Sequence, residues 1–195
     1  MENKPFSQRK RTRLPEFDYS QNYMYFITVC TKDKASILGR IVGDGACDVP
    51  HAALFPKGKV AEKYIHLMDN KYNNVFIDCY VIMPNHIHMI IAVSNPSAEE
   101  YDKDIRVGYF GTSQAPSPTP QSIGKMTLHE NPDRTNKIIP KFISLFKRYC
   151  NHKAGENIWQ RGYYDRIIRN YHEYINVRNY IDANPFRWTE DEYYI

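Results

Sequence analysis

The sequence has no apolar run long enough to cross a membrane. Its longest such stretches, 75–83 and 87–93, fall far short of the ~20 residues a transmembrane helix needs. The opening Met1-Glu-Asn-Lys-Pro-Phe-Ser-Gln-Arg-Lys carries bases but no apolar run behind them, so no secretory signal is expected. Cysteine is scarce and scattered. Cys30, Cys47, Cys79 and Cys150 offer no C-x-x-C pair, which argues against a disulfide frame or a cysteine zinc site and for reduced core thiols in a cytosolic protein. No internal repeat is present, and the net charge is only +4.

What is present suits one core. The chain has 195 residues, the length of a single domain with some decoration. Its apolar fraction of 42% excludes a disordered tail protein. Tyrosine is conspicuous, at 16 residues; it supplies both a stacking surface and a phenolic oxygen. The small net charge hides an uneven distribution. Residues 1–14 form a basic arm with Lys4, Arg9, Lys10, Arg11 and Arg13. Residues 137–170 hold eight Lys/Arg against Glu156 and Asp165, and the tail from Thr189 is acidic. Such clusters either solvate a surface or mark the footprint of a polyanion. Residues 94–137, rich in proline and serine, read as a flexible insertion into the domain. A smaller Gly/Asp-rich excursion runs from 39 to 56.

The remaining segments have clear periods. Tyr23–Cys30, Val75–Met83 and His86–Val93 read as strands, the last two separated by a Pro84-Asn85 turn. Ile158–Ile168 reads as a fourth strand bent at Gly162. Lys57–Tyr72 places Val60, Tyr64, Leu67 and Met68 on one helical face. Ile139, Phe142, Ile143, Phe146 and Cys150 define a second helix with Pro140 in its first turn. Asn170-x-x-Glu173 resembles a capping box that opens a third helix running to Asn184, where Pro185 stops it. The expected fold is α+β: a ferredoxin-like β-α-β-β-α-β antiparallel sheet with an added C-terminal helix.

On the third strand Ile87, Met89, Ile91 and Val93 share one face, leaving His86 and His88 on the other. Histidines at i, i+2 lie about 6.5–7 Å apart at Cα, so their rings can converge on one metal. Alone, the triplet fits two ordinary surface histidines better. On the last helix Tyr180 and Asn184 stack at i, i+4, beside the apolar stripe Tyr174, Val177, Ile181. Tyr180 is thus a candidate phenol in a cleft, and the Asn184 amide oxygen a candidate third ligand. Tyr163 and Tyr164 are rival nucleophiles, better read as core or base-stacking residues, and Trp159 reads as core.

The run Tyr80-Val-Ile-Met-Pro-Asn-His-Ile-His-Met-Ile-Ile resembles the His-hydrophobic-His strand of the single-tyrosine (HUH-superfamily) transposases, in particular the REP-associated tyrosine transposases and the insertion-sequence-200-like transposase domain. Phe17-Asp-Tyr-Ser, Tyr25-Phe-Ile-Thr-Val-Cys, Ile158-Trp-Gln-Arg-Gly-Tyr-Tyr-Asp-Arg-Ile-Ile-Arg and Glu173-Tyr-Ile-Asn-Val-Arg-Asn-Tyr-Ile-Asp-Ala-Asn-Pro match in order. Coverage is roughly residues 14–96 and 137–188.

The resemblance implies a metal-dependent transposase or endonuclease. It would cut and rejoin single-stranded DNA at hairpin-forming repeats through a 5′-phosphotyrosine link. Tyr180 would be the nucleophile, with His86, His88 and Asn184 as metal ligands. In insertion-sequence relatives the third ligand is often Gln, one methylene longer. The cofactor implied is Mg²⁺ or Mn²⁺, and two imidazoles suit Mn²⁺ better. Arg9, Lys10, Arg11, Arg13, Lys147, Arg148, Arg161 and Arg166 are candidate DNA contacts, and Arg178 is a cation that could favour the phenolate. The expected setting is the bacterial cytoplasm and its nucleoid, as a monomer or homodimer. A catalytically inactive or domesticated nucleic-acid-binding module is the alternative, although the Arg/Lys-Gly-Phe-x-Phe pattern of RNA-binding domains is missing. A zinc hydrolase lacks an evident general base and a third His/Cys ligand.

Overall fold

Met24–Cys30 forms β1 because its β-branched and aromatic residues favour extended backbone. Its alternation puts Tyr25, Ile27 and Val29, all fully buried, on one face and Phe26 and Thr28 on the other. The computed structural model describes residues 23–43, 48–94 and 138–194. The basic arm with Arg9, Lys10, Arg11 and Arg13 lies outside the described residues, as do Cys47 and, beyond Ser94, the 94–137 insertion.

The 39–56 excursion contains structure of its own. β2 (Gly39–Val42) and β3 (His51–Leu54) pair as a separate antiparallel two-stranded sheet. Helix α1 (Pro56–Asp69) follows, with Pro56 in its first turn. Its buried residues are Gly58, Ala61, Ile65 and Met68, while Leu67 is half exposed. The helix is thus rotated from the Val60–Tyr64–Leu67–Met68 face expected of it. Gly58 supplies the reason: a Cβ there would run into the Leu38 carbonyl, so this side lies against the chain entering β2.

β4 (Val75–Ile82) and β5 (His86–Val93) form an antiparallel hairpin across Met83-Pro84-Asn85, closed by Met83 N–H donating to the His86 carbonyl at 2.9 Å. Helix α2 (Ile138–Ala154) buries Ile138, Ile139, Phe142, Ile143, Phe146 and Cys150, the stripe its period predicts. β6 is shorter than expected, spanning only Tyr164–Ile168. Gly162 adopts φ +81°, which breaks the extended run. Upstream of it only Trp159 bridges, to Thr31, and its ring packs on Phe146 in the core.

Helix α3 (Tyr171–Ala183) is capped as its sequence suggests. Asn170 Oδ1 accepts from Glu173 N–H at 2.8 Å, and Glu173 Oε2 accepts from Arg169 N–H at 3.0 Å. A 3₁₀ segment, Asn184–Glu190, carries the chain on from its end.

The main sheet has the order β4-β5-β1-β6, every pairing antiparallel. This is the ferredoxin-like arrangement. α1 and α2 cover one face around Ile27, Ile87, Met89 and Ile91. α3 packs on the other, burying Tyr174, Val177 and Ile181 against Met24, Ile90, Ala92 and Ile168. Each fully buried isoleucine of these layers contributes about 1.5–3 kcal/mol. A β-bulge between Ile77 and Cys79 turns Asp78 toward α3. Its Oδ2 accepts from Tyr174 Oη at 3.0 Å and from Arg178 Nη1 at 3.3 Å. The helix is thereby pinned to the edge strand.

Candidate active site

β5 delivers two imidazoles to the α3 side of the sheet. His86 is fully buried and His88 nearly so, with ring centroids 4.4 Å apart. Asn85 fixes the first ring. Its Nδ2 donates to the Tyr193 carbonyl at 2.7 Å and the Lys34 carbonyl at 3.2 Å. That leaves Asn85 Oδ1 to accept from His86 Nδ1–H at 2.9 Å, so His86 Nε2 carries a lone pair. Thr28, opposite His88 across the β1–β5 ladder, lies 2.8 Å from His88 Nδ1. With Thr28 accepting, His88 Nε2 likewise faces the cleft as an acceptor.

α3 brings the phenol. Tyr180 Oη lies 3.3 Å from His88 Nε2 and 3.5 Å from Asp191 Oδ2. Phe26 meets the Tyr180 ring edge-on at 6.0 Å. One turn further, Asn184 is 2% exposed. Its Nδ2 donates to Asp191 Oδ2 at 2.8 Å, which turns its Oδ1 the other way. Two buried atoms, His86 Nε2 and Asn184 Oδ1, have no hydrogen-bond partner. Both are acceptors, and a buried acceptor without a donor costs about 1–3 kcal/mol. The ligand atoms of His86, His88 and Asp191 also lie within 4.8 Å of one another. Imidazole nitrogens, an amide oxygen and a carboxylate gathered in this way are the chemistry of a divalent-cation site.

The electrostatics agree. Burial pushes His86 down to about 4, against the opposing pull of Asp191. Burial, then the neighbouring His86, holds His88 well below the ordinary imidazole range. Both rings are therefore neutral, as metal ligation requires. Burial and the Asp191 and Glu192 carboxylates push the Tyr180 phenol up to about 12.

A cleft of about 860 Å³ opens in front of these groups, lined among others by Phe26, Thr28, His88, Arg166, Tyr180 and Asp191. Of the described candidate DNA contacts only Arg166 lines it, 3.6 Å from Glu173. Lys147 and Arg148 line a separate depression on α2 with Asn151 and His152. The Lys147 ammonium donates to the Gln160 and Gly162 carbonyls, bracing the bend before β6. Arg161 is exposed on that bend. Arg178 is engaged by Asp78 and Tyr174.

Sequence reasoning missed Thr28, Asn85 and Asp191. Asn85 had a signal in its place beside His86. Asp191 had none, because the acidic tail read only as a charge run.

The fold and this site define a ferredoxin-like α+β protein with two strand histidines facing a helix-borne tyrosine, among acceptors whose chemistry suits a divalent cation. No family model matches the sequence. An uncharacterized protein of Haemophilus influenzae strain Rd is 27% identical, over 99% of this chain and 97% of its own. A solved structure of a REP-associated tyrosine transposase bound to a REP hairpin is similar with a TM-score of 0.53. The match covers 94% of this chain and 74% of that one at 16% identity, and it establishes a shared fold.

Proposed function

We propose that the chain is a metal-dependent transposase that cleaves and rejoins single-stranded DNA at hairpin-forming repeats through a covalent 5′-phosphotyrosine link. The observation that carries this reading is the placement of Tyr180 Oη, 3.3 Å from His88 Nε2, beside two buried acceptors that lack a donor. The solved relative's REP hairpin suggests the partner.

His86, His88, Asn184 and Asp191 would hold Mn²⁺ or Mg²⁺, Mn²⁺ suiting the imidazoles better. When bound, the cation supplies Lewis-acid polarisation of a phosphate oxygen. The chain's residues do the rest. Tyr180 Oη attacks phosphorus as its proton leaves to solvent, to which the side chain is open in the cleft. The bond from phosphorus to the 3′ oxygen breaks, and that oxygen takes up a proton to leave a free 3′-hydroxyl. The phosphodiester energy stays in the phosphotyrosine bond for resealing. Thr28 and Asn85 keep both imidazoles oriented. The enzyme would act in the bacterial cytoplasm, as a monomer or homodimer; among the described residues no helix is long and apolar enough to cross a membrane.

The test is an adduct assay with labelled single-stranded hairpins from DNA flanking the gene, in Mn²⁺ and in Mg²⁺. Wild type should give denaturant-resistant protein–DNA adducts. Tyr180→Phe should abolish them while hairpin binding persists. Adducts at wild-type yield in that variant would refute the assignment.

A further inference from the structure

The α3 face of the sheet can be read in rows across its strands. Ala92, Met24 and Ile168 form one row, and Ile90, Phe26 and Arg166 the next. His88, Thr28 and Tyr164 form the third. α3 buries the first row and Ile90. Toward the β6 edge the cover ends. Tyr164 is 52% exposed, the Arg166 side chain is 64% exposed, and Phe26 is half-buried and lines the cleft.

Phe26 lies between the reaction centre and this edge. Its ring centroid is 5.1 Å from that of His88 and 6.0 Å from that of Tyr180. Tyr164 is two strands from His88, about 10 Å at the usual strand spacing. The cleft walls differ in charge balance: on the sheet side Arg166 lies 3.6 Å from Glu173, while on the tail side Arg187 stands against Glu190, Asp191 and Glu192. The tail side carries the excess of carboxylates, so a polyanion entering the cleft is favoured along the sheet wall, where Phe26 and Tyr164 flank the guanidinium.

We infer that Phe26 and Tyr164, with Arg166 beside them on β6, form a stacking subsite for the nucleobases flanking the scissile phosphate of single-stranded DNA. The inference rests on the proposed function, since it needs a phosphodiester at Tyr180. Aromatic rings stack any base, so the subsite fixes the strand's path without reading its sequence. Arg166 completes it with a phosphate contact and a planar cation.

The test uses the full chain in a Tyr180→Phe background with Mn²⁺, so that binding is read without cleavage. The probes are fluorescein-labelled oligothymidylate for affinity and a 2-aminopurine oligonucleotide, whose fluorescence is quenched on stacking. Phe26→Leu and Tyr164→Leu should each weaken binding by about 5- to 150-fold and reduce the quenching. The ring-retaining Phe26→Tyr and Tyr164→Phe should keep both signals, which a loss of folding or bulk would not allow. Tight binding by the parent with unchanged affinity and quenching in the leucine variants overturns the subsite alone. So does equal loss in the ring-retaining variants. No binding by the parent chain overturns the subsite too, and the hairpin adduct assay then decides the proposed function separately.

Discussion

Acid should destabilise this protein well above the range in which carboxylates titrate, because its fold holds two imidazoles neutral. His86 is fully buried and sits at about 4 in the folded chain, against about 6.5 when unfolded. Between those values the unfolded state binds the extra proton, so stability rises with pH. His86's share is complete above about pH 6.5 and is lost as pH falls toward 4. By pH 5 the loss from His86 alone is about 2 kcal/mol, and the full separation is worth about 3 kcal/mol. His88 is shifted in the same direction by burial and by His86, so it steepens the slope. Asp191 pulls His86 the other way and Lys34 adds to the depression. The assay is urea unfolding followed by circular dichroism at pH 7, 6 and 5 in EDTA. The midpoint should fall by at least roughly 1 M for a urea slope near 2 kcal/mol/M. A His86→Gln/His88→Gln double variant should lose most of that dependence. A wild-type midpoint that is flat from pH 7 to pH 5, or a double variant with the same slope, would refute the reasoning.

Three further outcomes follow from the site. At one hundred times its Kd, Mn²⁺ should stabilise the fold by about 2.7 kcal/mol, seen as a rise in Tm that His86→Ala abolishes; equal shifts in both proteins would place the ion elsewhere. Asp191→Asn removes a carboxylate that raises the Tyr180 phenol, so its pKa should fall from about 12 yet stay above the ordinary value, since burial is the larger cause. Ultraviolet difference titration against Tyr180→Phe reads this, and an unchanged pKa would contradict it. Asp78→Ala should cost about 1.5–3 kcal/mol, the range for hydrogen bonds to a charged group; denaturant melts check it, and a loss under about 0.5 kcal/mol would mean α3 is held by apolar packing alone.

Much of the fold was legible because its periods are strong. The alternation of His86–Val93 assigned the histidines to one face and Ile87, Met89, Ile91 and Val93 to the other, and the structure keeps that division. The α2 stripe and the Asn170–Glu173 cap were equally readable, since each depends on neighbours within one turn. Features set by distant contacts were not. The rotation of α1 depends on Gly58 meeting Leu38, twenty residues upstream. β6 is shortened by the left-handed conformation of Gly162, which a bend within one strand does not anticipate. In the site, the spacing of Tyr180 and Asn184 pointed to a shared helical face, and both reach the histidines. Asp191 joins them through the 3₁₀ segment after α3, a path that no helical or strand period encodes.

The bulge in β4 has a consequence for the whole edge strand. Before it, odd-numbered residues face the two-helix layer; after it, even-numbered ones do. Val75 and Ile77 precede the switch, Tyr80 and Ile82 follow it, and all four pack in that layer. Phe76, Cys79 and Val81 make the same exchange beneath α3. One inserted residue thus resets the strand's phase, giving each layer apolar side chains on both flanks of an aspartate. Deleting Asp78 would therefore remove the bulge together with the carboxylate that holds Tyr174 and Arg178. It would join Ile77 directly to Cys79, whose partners Ile91 and Ile90 are already consecutive on β5, so the remaining residues would keep both their layers and their pairing in one uninterrupted alternation.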